Sequence, residues 1–132
     1  MNKNRKDIKD RKAIELLIDT FYDKVRKDET LAYIFDDIAK VDWENHLPVM
    51  YDFWETTLFH TGSYKRNAMQ PHLDLNEKIP LKKLHFDQWL KLFNETVDEL
   101  FEGEIAHNAK TRALSIATMM QIKISKGPGS LL

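Results

Sequence analysis

The stretch from Asp42 to Leu75, DWENHLPVMYDFWETTLFHTGSYKRNAMQPHLDL, constrains this chain more than any other part of it. Trp43, Leu47, Met50, Trp54, Thr57 and Leu58 recur at helical spacing, so one face of the segment forms a broad apolar wall. Tyr51, Phe53 and Phe59 thicken it, a dense supply for a chain that is 11% aromatic. A helix with so wide an apolar face must be covered on more than one side. His46 lies on the wall. His72 follows a polar loop that separates the two imidazoles in sequence and leaves them free to face each other in space.

The remaining segments carry the same helical period. Ile14, Leu17, Ile18, Phe21, Tyr22 and Val25 mark the inner face of a helix expected from Asp7 or Asp10 to about Lys27. From position alone, the plainer reading of Tyr22 is a boundary tyrosine whose tip reaches water. A short helical turn is expected over residues 30–38, with Leu31, Ile34 and Phe35 inward. Asp42 offers its carboxylate as N-cap of the central helix. Pro48 requires either a later start for that helix or a kinked, loose turn around His46. Thr61-Gly62-Ser63 is its expected stop, followed by loop to Met69, a turn at residues 70–73 and a polar stretch to Lys78. Pro80 suits the first position of the next helix, which runs to Phe101 with Leu81, Leu84, Trp89, Leu92, Val97 and Leu100 inward. Phe86, Leu90 and Phe93 widen that stripe, and Gly103 ends it. The last helix, from about Glu104 to Ser125, turns Ile105, Ala109, Ala113, Ile116, Ala117, Met120 and Ile124 to one side. No segment alternates Val, Ile and Thr as a strand would. The expected fold is all-α, one domain over residues 1–132, with a tail mobile from about residue 126.

Composition removes whole classes of function. The net charge is -1 with both signs interspersed, which gives no basic stripe for nucleic acid and no patch for a membrane surface. There is no cysteine, so disulfides, zinc ribbons, iron–sulfur clusters and thiol nucleophiles are excluded. No run approaches spanning length, and the opening MNKNRKDIKDRK lacks the apolar centre of a signal peptide, so a cytoplasmic location is expected.

Five histidines invite a metal reading. Two His four apart around a Glu, as in zincins, do not occur. Glu104-Ile105-Ala106-His107 is the only Glu-x-x-His, one short of a di-iron bundle, and reads as a solvated first turn. No Gly-rich phosphate loop is present. His60, His85 and His107 read as structural or solvated. Tyr22, Phe35, His46, Trp54, His72, Phe86 and Trp89, by contrast, come from separate segments that a helical sandwich could converge on one pocket. An apolar slot between two imidazoles suits a flat iron cofactor, since a haem needs a neutral imidazole, apolar walls and a chosen distal polarity. Periodicity alone leaves a generic helical bundle as the competing reading.

The strings FYDKVRKDETLAYIF, DWENHLPVMYDFW, Tyr64 through His72, and HFDQWLKLFNETVDELFEGE resemble the group III truncated haemoglobins, over about Asp7 to Lys123. That resemblance implies a truncated globin-like two-over-two helical sandwich holding haem b (iron protoporphyrin IX). It implies His72 as the proximal iron ligand and Tyr22, His46 and Trp89 as the residues around bound ligand. Phe35 matches the phenylalanine on the haem face. Met50, Phe53, Trp54, Tyr64, Met69, Leu75 and Phe86 complete the expected haem surroundings. Arg66 and Ala68 stand where a Tyr-x-Gly-x-Pro pattern would have Gly and Pro, leaving Tyr64, Lys65 and Arg66 to meet the propionates. The implied ligands are oxygen, carbon monoxide and nitric oxide. Redox chemistry on the bound ligand, such as nitric oxide detoxification or peroxide turnover, would add an unidentified reductase as partner. The alternative class is a helical sensor or interaction module that keeps the fold without haem.

Overall fold

The structure, a computed structural model, describes residues 5–62 and 81–126, and only the backbone of 125 and 126. The expectations for residues 63–80 and for the tail, with Tyr64, Lys65, Arg66, Met69, His72 and Leu75, lie outside the described residues.

Helix α1 spans Arg11–Lys27. Asp10 starts it by accepting from the Ala13 amide at 2.9 Å, and Lys24, Arg26 and Lys27 place positive charge at the carbonyl end. All six expected inner-face residues are buried. Tyr22 is only 7% exposed, so its ring and tip are both withdrawn from water, against the expectation of a boundary tyrosine. Asp28 breaks the helix and accepts from the amides of Thr30 and Leu31, while its other oxygen takes Gln88 Nε2 at 2.6 Å. A π-helical turn, Ile34–Ile38, follows, with Leu31 and Ile34 buried and Phe35 half-buried.

Helix α2 spans Trp43–Phe59. Asp42 precedes it, but its carboxylate accepts from Asn45 Nδ2 at 2.7 Å and caps no amide. The helix runs through Pro48 without a later start, with the His46 amide bonded to the Asp42 carbonyl at 2.8 Å. The physical reason is position: proline deprives the Glu44 carbonyl of its amide, and both residues sit on the exposed face, where water can replace the bond. His60, left-handed at φ 58°, closes the helix just before the expected stop. Only Trp54 and Leu58 of the apolar wall are fully buried. Trp43, Leu47, Met50 and Phe53 are half-buried against the core.

Helix α3 spans Lys83–Leu100, starting after Leu81 and Lys82. His85 Nδ1 accepts the Lys82 amide at 2.9 Å, a cap that requires that nitrogen unprotonated. Burial, and then the Lys82 charge, hold the His85 imidazole below its ordinary range, in keeping with that role. Phe86, Leu92, Phe93, Thr96 and Val97 are buried, but Leu84, expected inward, is 54% exposed. At about 100° per residue Leu84 falls half a turn away from Phe93, so a stripe centred on Phe86, Phe93 and Val97 leaves it facing out.

Helix α4 spans Glu104–Lys126. Ala106, Ala109, Ala113, Ala117 and Met120 are buried, and the small side chains let α3 come close. Glu104 and His107 are both exposed, as a solvated first turn requires. Helix α1 packs on α2 and α3, and α3 pairs with α4, giving the expected two-over-two sandwich. No helix among the described residues is long and apolar enough to cross a membrane.

The N-terminal segment stitches this sandwich shut. Lys6 forms a single parallel bridge with Phe101, and its carbonyl accepts the Glu102 amide at 3.0 Å. Asp7 then accepts from the amides of Ile8, Ile105 and Ala106, each at 2.8 Å. Gly103 occupies the cap position of α4 and has no side chain to offer, so Asp7 supplies one from the far end of the chain. A Cβ on Gly103, which sits at φ +146°, would lie 2.5 Å from Asp7 Cγ.

Removing this cap should cost stability without changing the helix count. Asp7→Ala should lower the unfolding free energy by about 1–2 kcal/mol, the upper part of the range for lost N-caps. Gly103→Ala should also destabilise, by displacing the carboxylate. Urea denaturation followed by circular dichroism measures both, and midpoints equal to wild type would exclude this role for Asp7.

Candidate distal pocket

Successive rings bring most of the expected site residues together. Phe93 stacks on Trp54 of α2 (centroids 4.9 Å apart, planes at 20°) and on Trp89 of its own helix (5.8 Å, 12°). Phe21 of α1 meets Phe93 and Trp89 edge-on at 5.2 and 5.7 Å. Tyr22 sits 4.8 Å from Phe21 and turns the series towards the start of α2. There it meets Trp43 at 5.2 Å, His46 at 5.9 Å and Phe35 at 6.2 Å. Tyr22, Phe35, His46, Trp54 and Trp89 thus belong to one assembly built from α1, the π-helical turn, α2 and α3.

Phe53 meets Trp54 edge-on at 5.4 Å, and Met50 is half-buried against the same core. Phe86 is buried with Ala117 and Met120 in a smaller cluster, and Trp89 packs against both groups. A surface cleft beside that cluster, lined by Leu81, Lys83, Phe86, Gln121, Ile122 and Ile124, shares only Phe86 with the expected residues. Three participants went unassigned in the sequence: Phe21, Phe93 and Trp43. Each had a signal, since Phe21 neighbours Tyr22, Phe93 follows Trp89 by one turn and Trp43 precedes His46 by one turn.

The assembly is largely apolar, and its polar atoms include the Tyr22 hydroxyl, the tryptophan indole N–H groups and the His46 imidazole. Burial pushes the Tyr22 phenol well above the usual tyrosine range, and its interaction with the Trp89 indole offsets part of that rise. The hydroxyl therefore stays protonated at any physiological pH and can donate. Chemically, such a corner offers hydrogen-bond donors to a small acceptor in largely apolar surroundings.

Comparison with known proteins agrees with this architecture. Residues 7–124 match the family described as bacterial-like globin. The chain is 32% identical over 120 residues to the group 3 truncated hemoglobin ctb of Campylobacter jejuni subsp. jejuni, covering 89% of this chain and 92% of that protein. It is also similar to the crystal structure of group III truncated hemoglobin from Campylobacter jejuni, with a TM-score of 0.78 and 32% identity, over 92% of this chain and 95% of that one.

The buried phenol has a measurable consequence. A proton held more tightly in the folded state than at the ordinary value of 10.0 stabilises the fold below that pH, and this contribution is lost as pH rises through the elevated folded value. Stability should therefore decline from about pH 10 upward. Tyr22→Phe should flatten that decline in denaturant titrations at stepped alkaline pH, and an unchanged slope would show that Tyr22 is not the group responsible.

Proposed function

The chain belongs to the bacterial-like globin family, among the group III truncated haemoglobins, and on that premise we propose that it is a single-domain cytoplasmic haem b protein that binds oxygen and other diatomic ligands. The observation that carries this reading is that buried Tyr22 meets both the Trp89 indole and the His46 ring within a cluster of aromatic side chains. The residues present fit a haem. Phe35, Met50, Phe53 and Trp89 are apolar side chains only half covered by the rest of the chain, suited to lie against a flat macrocycle. Tyr22 brings the Trp89 indole and the His46 ring next to one buried hydroxyl, which suits a ligand-binding face.

When bound, haem supplies the iron at which oxygen, carbon monoxide or nitric oxide coordinates. His72 is assigned the protein bond to that iron by the family pattern. Its imidazole must be neutral, and its second nitrogen needs an acceptor to fix the ring. Phe35, Phe53 and Trp54 would exclude water. Tyr22 and Trp89 would act as donors to such a ligand, and a donor to a partly charged acceptor is worth roughly 1.5–3 kcal/mol. That energy slows ligand loss about tenfold to hundredfold. Slow release suits redox chemistry on the bound ligand, such as nitric oxide detoxification or peroxide turnover with a reductase as partner, better than oxygen delivery.

Purified protein should show a strong Soret band, or acquire one on adding haemin. His72→Ala should purify largely haem-free. A colourless wild type that refuses haemin, or a His72→Ala variant with a normal ferrous spectrum and no added imidazole, would refute the assignment. Mixing the oxygenated form with nitric oxide in a stopped-flow instrument would then test for turnover.

The donors also set an order among the distal residues, in which His46→Leu should affect release less than a change at Tyr22 or Trp89. Tyr22→Phe and Trp89→Phe should each speed oxygen release by about tenfold or more, by the same energies. Carbon monoxide accepts hydrogen bonds poorly, so its release should respond less. Ligand-replacement kinetics distinguish the cases: equal responses of the two gases would contradict a donor role.

A further inference from the structure

Trp43 is half-buried at the first position of α2, and it touches both the distal corner and the surface. On the inner side its ring lies 5.2 Å from Tyr22, 5.7 Å from His46 in an edge-on arrangement, and 5.9 Å from Phe35, stacked at 29°. On the outer side its indole Nε1–H donates to Asp36 Oδ1 at 3.2 Å. The Arg26 guanidinium covers the ring at 5.1 Å and faces the same Asp36 oxygen at 3.8 Å. The last turn of α1, the π-helical turn and the first turn of α2 are thus joined through one indole.

Resting on the haem reading above, we propose that Trp43 is a positioning residue for the distal side, locked by Asp36 and Arg26, and that this lock sets how fast small ligands enter. The ring fixes where His46 and Tyr22 stand, because it packs edge-on to one imidazole and obliquely to one phenol. Two weak contacts fix the ring. The Arg26 and Asp36 side chains are 51% and 38% exposed, so water and salt reach their charges. An exposed cation over an indole is likewise a modest attraction. Loss of the Asp36 carboxylate removes the indole's acceptor and frees Arg26, leaving the ring held on its inner side only. The lock is consequently sensitive to ionic strength, whereas the stacked rings deeper in the core are not.

The test uses the full chain with Asp36→Ala, Asp36→Asn and Trp43→Phe. In the haem-loaded protein, carbon monoxide association after flash photolysis should accelerate about fivefold in Asp36→Ala and Trp43→Phe. Asp36→Asn, which keeps an amide oxygen to accept the indole proton, should recover part of the difference. Raising sodium chloride to about 0.5 M, where the screening length is only a few ångström, should move wild type towards Asp36→Ala and leave that variant unmoved. Independently of haem, the Trp43 indole proton should exchange with solvent about tenfold faster in Asp36→Ala, and the His46 ring protons should shift as the neighbouring indole moves. If the protein refuses haemin, the functional reading fails, and the indole exchange and His46 shifts still decide the lock. Association rates within twofold of wild type in both Asp36→Ala and Trp43→Phe overturn the proposal, as does unchanged indole exchange in Asp36→Ala.

Discussion

The structure depends on Phe93 lying flat between two tryptophans. Its ring bridges Trp54 of α2 and Trp89 of α3, and Phe21 of α1 closes on the stack from the edge. Three helices are therefore registered by one side chain that is wholly buried. Flat and edge-on ring contacts are directional in a way aliphatic packing is not. A shift of α2 or α3 along its axis would break the stack before it exposed much apolar area. The consequence for chemistry is that Trp89 is fixed on its inner side, so its indole N–H is presented from a rigid wall. The polar corner is a by-product of how the core is registered.

Much of this was legible in the sequence because burial in an all-helical chain is written in steps of three and four. The inner face of α1 was read in full, and the alanine side of α4 explained the close approach of its partner. The misreadings have local causes. Leu84 follows the hydrophobic spacing of α3 yet lies opposite the centre of its buried stripe at Phe86, Phe93 and Val97. Asp42 was given a cap role that its carboxylate gave up to the Asn45 amide group. Pro48 was expected to disturb its helix, yet the bond it removes faces water. The burial of Tyr22 is not legible from spacing, which cannot distinguish a boundary tyrosine from one whose tip is enclosed by rings from other segments. Trp43 was seen as wall, but its link to Asp36 and Arg26 needs the π-helical turn, which periodicity does not announce.

Charge plays a different part from the rings. Arg11 reaches Asp52 and Glu55 across the α1–α2 interface, Lys24 pairs with Glu99, and Lys110 with Asp98. These contacts are partly exposed and contribute little each. They lie along seams already set by apolar packing. Their use is to discriminate between alternative pairings of helices whose inner faces are similar in character, since like charges would meet in a misaligned sandwich. At Arg26 and Asp36 the same weak chemistry sits next to the polar corner, and there weakness becomes useful.

The carboxylate of Asp7 also has a bearing on the order in which the chain completes itself. It joins residue 7 to residues 105 and 106, closing a loop that contains nearly the whole described protein. Contacts of such high sequence separation form only after the entropy of closing the loop has been met by other interactions. On a ribosome residue 7 emerges well before residues 105 and 106 and waits for them. The first amides of α4 are consequently left to water until the two helix pairs have docked. An interaction formed that late acts on the way out of the native state more than on the way in, so Asp7 works as a brake on unfolding, a fastener for a finished molecule and no guide for an unfinished one.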